Sequence, residues 1–453
     1  MQRASRRDAL RLIGVGAAAI GATAVPTAAE GETVTWTRTL SGGDMRLAGV
    51  AAAEAGGYVV AGSRDGDGYT AAFGPGGSRR WSVEAPGRGR VQLSAIAARG
   101  GQYACVGSHE DDIQRDGFLA IVGDGTVVQD HTFGEQQWDD TLHGVTATDD
   151  GFLLVGETLD PDDRTARGWA IRTGVAGLET WSQSYESGSK SVFHDAADLG
   201  DGFAFAGHSG SEAWVVETDE SGEIRRSQTY SGANGALRCT SILPAGSGYY
   251  LAGYTGTGSD MRGWIMLVDD AQQQVWRRTY GDETAGRIDD MAAAGGPPFL
   301  AGSYGGTGLA LRASRTGAAW QQTVADVNGF TGVAAGSDGA VFVGTRSVAG
   351  DSEGHVVKGE TSEPRTSAVQ TESETEAEIP DAGDETTATP IDDAGSTTAP
   401  TDDPNGGGGG GAPAVAGETE ESPFGVPGFG IPAALAGAGA AGWAALRRGD
   451  DEN

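Results

Sequence analysis

Tyr58-Val59-Val60-Ala61-Gly62 and, five residues further on, Gly68-Tyr69-Thr70-Ala71-Ala72-Phe73 are two short apolar runs, each keyed by a glycine, and the chain repeats the pair. The glycine of the first run recurs at Gly107, Gly156, Gly207, Gly253, Gly302 and Gly344, in steps of 45, 49, 51, 46, 49 and 42 residues. Each is followed by a small residue and an aromatic or its stand-in: Gly117-Phe118, Gly168-Trp169, Ala213-Trp214, Gly263-Trp264, Gly308-Leu309 and Gly354-His355. A period of this length holding only strand-like segments predicts a β-propeller, in which each repeat is a four-stranded blade that cannot bury both its faces alone. The expected fold is all-β: a seven-bladed β-propeller of four-stranded blades over residues 33–362.

Two further columns place the strands. The first strand of each repeat carries Leu47, Leu93, Leu142, Phe193, Cys239, Ile288 and Phe330, with Val50, Ile96, Val145, Ala196, Ile242, Met291 and Val333 three positions later. Both columns are apolar throughout, as packing between sheets requires. The fourth strand carries Trp36, Trp81, Trp181, Trp276 and Trp320, read as packing between neighbouring sheets. After His355 the chain runs straight into acidic sequence with no fourth strand, whereas Val34 to Ser41 aligns with the fourth strand at Val275 to Gly281. The N-terminal strand is therefore expected to pair into the last blade and close the ring, removing the edges an open array would expose.

Composition bounds the surface. A formal net charge of -32, with only Lys190 and Lys358 as lysines among 31 basic residues, repels nucleic acid and anionic lipid. Dispersed acid with arginine in place of lysine reads as a surface kept hydrated in concentrated salt; the alternative is a basic partner or a bound cation. This usage resembles that of haloarchaeal proteins. Cys105 and Cys239 fall in different repeats, so each is read as a small buried apolar residue rather than half of a disulfide. With no paired-cysteine or cysteine-histidine spacing, no structural metal is expected, and no cofactor.

The two ends suggest an address. Ser5-Arg6-Arg7-Asp8-Ala9-Leu10 precedes an apolar run from Leu12 to about Val25 and resembles a twin-arginine export signal over residues 1–30, with Ala9 where that family usually has phenylalanine. Residues 363–424 are rich in Thr, Ser, Glu, Asp and Pro and include six consecutive glycines, Gly406 to Gly411. Such a stretch buries no core, and as a flexible coil it reads as a disordered stalk spanning roughly 40 to 50 Å. It contains no Asn-x-Ser/Thr sequon, so any sugar there is linked to hydroxyls. Pro427-Gly428-Phe429, an apolar span from Gly430 to Leu446 and the basic pair Arg447-Arg448 follow. Residues 425–453 resemble the archaeal PGF-CTERM sorting signal. The resemblance implies processing by an archaeosortase, with loss of the span and a lipid near the tripeptide; a retained helix over 430–446 gives the same location, the outer face of the cell membrane.

In a propeller the start of each innermost strand supplies side chains to the mouth of the central channel. There the sequence has Ser94, His143, His194-Asp195, Thr240-Ser241, Asp289-Asp290 and Thr331. His143, His194, Asp195, Asp289 and Asp290 are the candidate ligand-binding residues, offering nitrogen and oxygen donors to a cation or polar ligand; the alternative is a hydrated channel tied together by hydrogen bonds and water. No catalytic residue is named. The repeated aspartate of quinoprotein dehydrogenases and the Asp-boxes of sialidases are missing as repeating patterns, as is the recurring glycine-histidine and Trp-Asp pattern of the WD40 class. The repeats look most like generic propeller repeats of archaeal and bacterial surface proteins. The function expected is binding or scaffolding at the archaeal envelope, with an envelope protein or glycan as partner, the membrane reached through the C-terminal anchor or lipid, and export and sorting machinery met on the way. An extracellular propeller enzyme, a glycan hydrolase or lyase or a quinoprotein-like oxidoreductase, is the alternative.

Overall fold

The computed structural model describes residues 34–359 apart from 86–88, 135–137, 161–164, 189, 233–234, 247, 282–283, 315–316, 337–338 and 349. The expected signal, stalk and sorting segment, with Arg6, Arg7, Pro427, Gly428 and Phe429, lie outside these residues. Within them the chain is an all-β propeller of four-stranded blades, as the repeat predicts. Its first strands are Met45–Ala52, Arg90–Arg99, Asp139–Thr148, Ser191–Asp198, Leu237–Ala245, Gly286–Ala292 and Gly329–Gly336. Each is joined antiparallel to the strands that follow it in chain order, and one parallel pairing, Asp139 with Arg115, links two neighbouring sheets. In the last sheet the outer place beside Asp351–Gly359 is taken by Val34–Leu40, antiparallel and in register from Trp36 with Lys358 to Leu40 with Gly354. Among the described residues no helix is long and apolar enough to cross a membrane.

Burial is deepest in the middle strands of each sheet and least in the outermost, and it explains the composition of each. The second strand Phe203–Ser209 is buried at every position, because both its faces meet neighbouring sheets, and it reads as a continuous run of small and aromatic residues. The outer strand Glu179–Tyr185 alternates exposed and partly buried positions with one face in solvent, and its sequence alternates accordingly.

One irregularity recurs in every first strand. Leu142 pairs with Gly156 and Gly144 with Val155, so His143 is an extra residue without a partner, a β-bulge. The same skip occurs at Ala48, Ser94, His194, Thr240, Asp289 and Thr331, each time one residue after the residue that faces the repeat glycine. The bulge drives the first strand's backbone against the second. A Cβ on Gly156 would collide with the carbonyl oxygen of Thr141, and one on Gly107 with that of Gln92; the other five repeat glycines meet the equivalent carbonyl in the same way. The glycine column exists because nothing larger than hydrogen fits opposite the bulge. An extra residue also turns an i, i+3 pair onto one face, which is why Leu142 and Val145 enter the same core cluster.

The second glycine column serves the seams between sheets. A Cβ on Gly168 would lie 2.7 Å from the Phe193 ring of the next sheet, and one on Gly354 would lie 2.8 Å from Leu47 and 2.9 Å from Met45 of the first. The seams are sealed at the outside by fourth-strand side chains that reach the neighbouring sheet's third turn. Trp36 Nε1 donates to Pro75 O (2.8 Å), Trp181 Nε1 to Glu220 O (3.0 Å) and the Tyr230 hydroxyl to Gln272 O (2.9 Å). Cys105 and Cys239 are free and buried.

Replacing Gly156 with alanine is expected to destabilise the fold by about 3 kcal/mol or more, since the added methyl must displace a ladder carbonyl. Alanine at Gly174 of the same sheet, where a Cβ meets nothing within 4 Å, should stay within about 0.5 kcal/mol of wild type. Denaturant midpoints of the two variants check this; equal midpoints would mean the first strand yields at no cost.

Candidate functional site

A side chain that has no partner in the ladder is free to leave the sheet, and all seven bulge residues do so toward one space. Ala48, Ser94, His143, His194, Thr240, Asp289 and Thr331 together line a cavity of about 470 Å³, completed by Arg46, Ser63, Gln92, Leu93, Tyr254 and Arg287. The same seven line a second cavity of about 140 Å³, whose remaining walls are one or two residues following five of the bulges, Asp195 and Asp290 among them. The bulge residues are thus the waist between a wide chamber and a narrow one.

His143 and His194 come from adjacent sheets and their rings lie 5.2 Å apart. His194 Nε2 is 3.2 Å from Nδ1 of His208, with the two rings stacked at 21°. One N–H between two ring nitrogens makes a single hydrogen bond in either tautomer, but a second proton would set two donors face to face. Burial, and then the neighbouring His143 and His208 rings, hold His194 well below the usual imidazole range. Burial, followed by the charges of Arg238 and Lys190, pulls His208 down to about 4. On the other side His143 Nε2 stands 3.5 Å from the Glu157 carboxylate.

The three expected aspartates do not act alike. Asp195 and Asp290 each follow a bulge residue and border the narrow chamber, but backbone donors occupy their oxygens. Asp195 accepts from Ala196 N (2.8 Å) and, across the seam, from Ile242 N (2.9 Å) and the Ser241 hydroxyl (3.0 Å). Asp290 accepts from Met291 N (2.7 Å) and, across the next seam, from Val333 N (2.8 Å). Ser241 lies 3.4 Å from Asp290 as well, and one hydroxyl hydrogen cannot serve two carboxylates. Burial raises both groups, Asp195 to about 6 and Asp290, helped by the charge of Asp195, to about 7, so a proton on Asp290 relieves the pair near neutral pH. These two side chains tie neighbouring sheets together. Asp289 alone of the three reaches the wide chamber, where Arg287 grips it through Nε (2.9 Å) and Nη2 (2.8 Å). Burial still raises Asp289 to about 6 against the pull of Arg287. Among the described residues no three His, Cys, Asp or Glu side chains are placed to hold a metal ion.

The sequence columns brought His143, His194 and Asp289 to one waist and did not reveal Glu157, His208, Tyr254 and Ser63. These four share a fixed offset, each standing one residue after a repeat glycine, so a column drawn there would have found them. Arg46, Gln92 and Arg287 likewise share the offset two residues before the bulge.

No family model matches the chain and no curated protein does. Among solved structures it is similar to the WD40 β-propeller domain of Doa1, at 15% identity over 72% of this chain and 97% of that one, with a TM-score of 0.47. It is also similar to the Dos1 propeller, at 11% identity over 73% and 96% with a TM-score of 0.46. A third similarity is to a protein of unknown function from Bacteroides caccae, at 15% identity over 52% and 82% with a TM-score of 0.37.

Because burial and its neighbours depress it, the His208 ring is expected to stay neutral down to about pH 4. Ring carbon shifts of histidine-labelled protein, assigned by single substitution, would show no titration of His208 between pH 8 and 5. A midpoint near 6.5 would mean that the His194–His208 pair opens to water.

Proposed function

We propose that this chain is a binding or scaffolding module at the cell envelope, a seven-bladed ring closed by its N-terminal strand, with its ligand in the wide chamber. The observation that carries the reading is the waist: seven separate strands spend their one irregular position on a side chain facing a common cavity. The bulge is needed for packing in every repeat, but six of the seven residues placed there carry a polar side chain, which suits that space to a polar ligand. A glycan-hydrolysing pair needs two carboxylates facing one space; among the described residues lining the wide chamber Asp289 is the one carboxylate, and Glu157 is engaged with His143, which favours holding a ligand over cleaving it.

Closure of the ring is supported by the seam between the last sheet and the first. Leu47, Val50 and Val60 share a core cluster with Val341, Val343 and Val356, and Trp36 bridges from the last sheet to Pro75 in the first. The address is supported by the order of segments alone: Arg6-Arg7 before an apolar run, a stalk of Thr, Ser and acid, then Pro427-Gly428-Phe429, a span and Arg447-Arg448. On this reading the acidic surface keeps the exported propeller hydrated in salt, and its partner is an envelope protein or glycan.

Ala48 borders both chambers, so a tryptophan there would project into the waist without replacing any of its polar side chains. In a thermal-shift screen of the full chain in molar salt against saccharides, carboxylic acids and divalent cations, any shift seen with wild type should vanish in Ala48→Trp. The same plug tests closure, because residue 48 blocks a ligand held by His194 and Thr240 only across a closed ring. A shift that survives the plug places the ligand on an outer face.

For the address, the intact mass of the protein recovered from the cell surface should lack Arg447 and Arg448 and carry a lipid. Retention of both arginines would favour a plain membrane helix.

A further inference from the structure

We infer that the wide chamber takes a neutral polyhydroxylated ligand, a saccharide of one or two rings; this rests on the proposal that the chamber is the binding site. The argument begins with charge. Although the chain carries -32 overall, the chamber wall has two guanidinium groups and one carboxylate, and none of the three stands free. Arg287 is spent on Asp289 through two hydrogen bonds, and Arg46 has Asp44 at 3.3 Å. A carboxylate or phosphate ligand would therefore meet one cation held by Asp289 and one paired at the surface with Asp44, beside a fixed negative charge. Among the described residues lining the chamber, a metal or ammonium ion would find one anionic ligand, Asp289, already held by Arg287.

What the wall does offer is a mixture of donors and acceptors with defined directions. The Thr240 hydroxyl gives its hydrogen to backbone carbonyls, Ile288 O at 3.0 Å or Ala252 O at 3.1 Å, and Thr331 gives its own to Leu47 O at 2.8 Å. Both oxygens are left as acceptors toward the chamber. With its amide oxygen accepting from Arg90 at 2.9 and 3.0 Å, Gln92 is left with its NH₂ as a donor. The Asp289–Arg287 fork presents acceptor and donor side by side, which matches a pair of neighbouring hydroxyls, each both donor and acceptor. Tyr254 adds an aromatic surface for the C–H face of a ring. An apolar ligand would leave the free acceptor and donor positions of these groups unmatched. The volume of about 470 Å³ is in the range of small-molecule sites.

The test is titration calorimetry of the full chain in molar salt with maltose, cellobiose and lactose, and in parallel with galacturonate, citrate and manganese chloride. At least one neutral disaccharide should bind, unchanged by EDTA, and weaken at least tenfold in both Asp289→Asn and Gln92→Ala. The second variant touches no ion pair at the waist, so it keeps the test readable if the first unfolds; melting curves report which is the case. Binding of galacturonate, citrate or manganese alone overturns the neutral class while leaving the chamber as the site. No heat from any probe overturns this inference by itself, and the Ala48→Trp screen then decides separately whether the chamber binds anything. Saccharide binding that both variants leave intact overturns it too, since the ligand would sit elsewhere.

Discussion

The rest of the structure depends on one close approach, that of the first strand's carbonyl to the repeat glycine opposite its bulge. An extra residue in one strand bends it and tightens its twist, and here the bend presses the backbone onto a position where only hydrogen fits. Seven glycines accept it. Everything at the centre of the molecule follows: the i, i+3 apolar pair that faces one seam, the unpaired side chain that faces the channel, and the following residue that faces the neighbouring sheet.

That third position shows how the seams hold where they are wettest. Apolar contact seals the seams farther out, but around the narrow chamber the backbone N–H groups of Ile242 and Val333 need partners. Asp195 and Asp290 supply them from the sheet before. Burial makes each carboxylate costly as an ion, and two near one serine would be costlier still. Their raised pKa values record that cost, and the proton that Asp290 takes near neutrality records how it is relieved. Removing either carboxyl would leave a strand donor without its cross-seam acceptor, a structural loss independent of any ligand.

Much of this was legible in the sequence because it repeats. Strand order and sheet size follow from glycine and aromatic columns, and the second and third strands announce themselves as apolar runs buried on both faces. The bulge was written there too. Two apolar columns three residues apart cannot share a face of a regular strand, where side chains alternate with period two, so Leu47 and Val50 in one cluster already imply an inserted residue. The division of labour at Asp289-Asp290 was not legible, because neighbouring identical residues differ only in whether the ladder skips them. Nor were Glu157 and His208: they reach the waist from the second strand, and the pairing that brings them beside His143 and His194 is a property of the register.

The bulge also separates what must stay constant from what is free to vary. Within one first strand the residue before the bulge packs into a seam and the second residue after it packs into the same seam, so both are apolar in every repeat. The bulge residue enters no apolar core cluster; where it reaches a neighbouring sheet, as Thr240 and Thr331 do, it does so through one hydroxyl hydrogen bond. Its identities across the repeats, Ala, Ser, His, His, Thr, Asp and Thr, span apolar, hydroxyl, imidazole and carboxylate chemistry on an unchanged backbone. A position whose side chain is exempt from packing while its Cα is held rigidly by flanking core contacts is suited to specifying a ligand. The side chains that line the chamber rest on strands rather than loops, and their identities can change one at a time without disturbing the sheets that hold them.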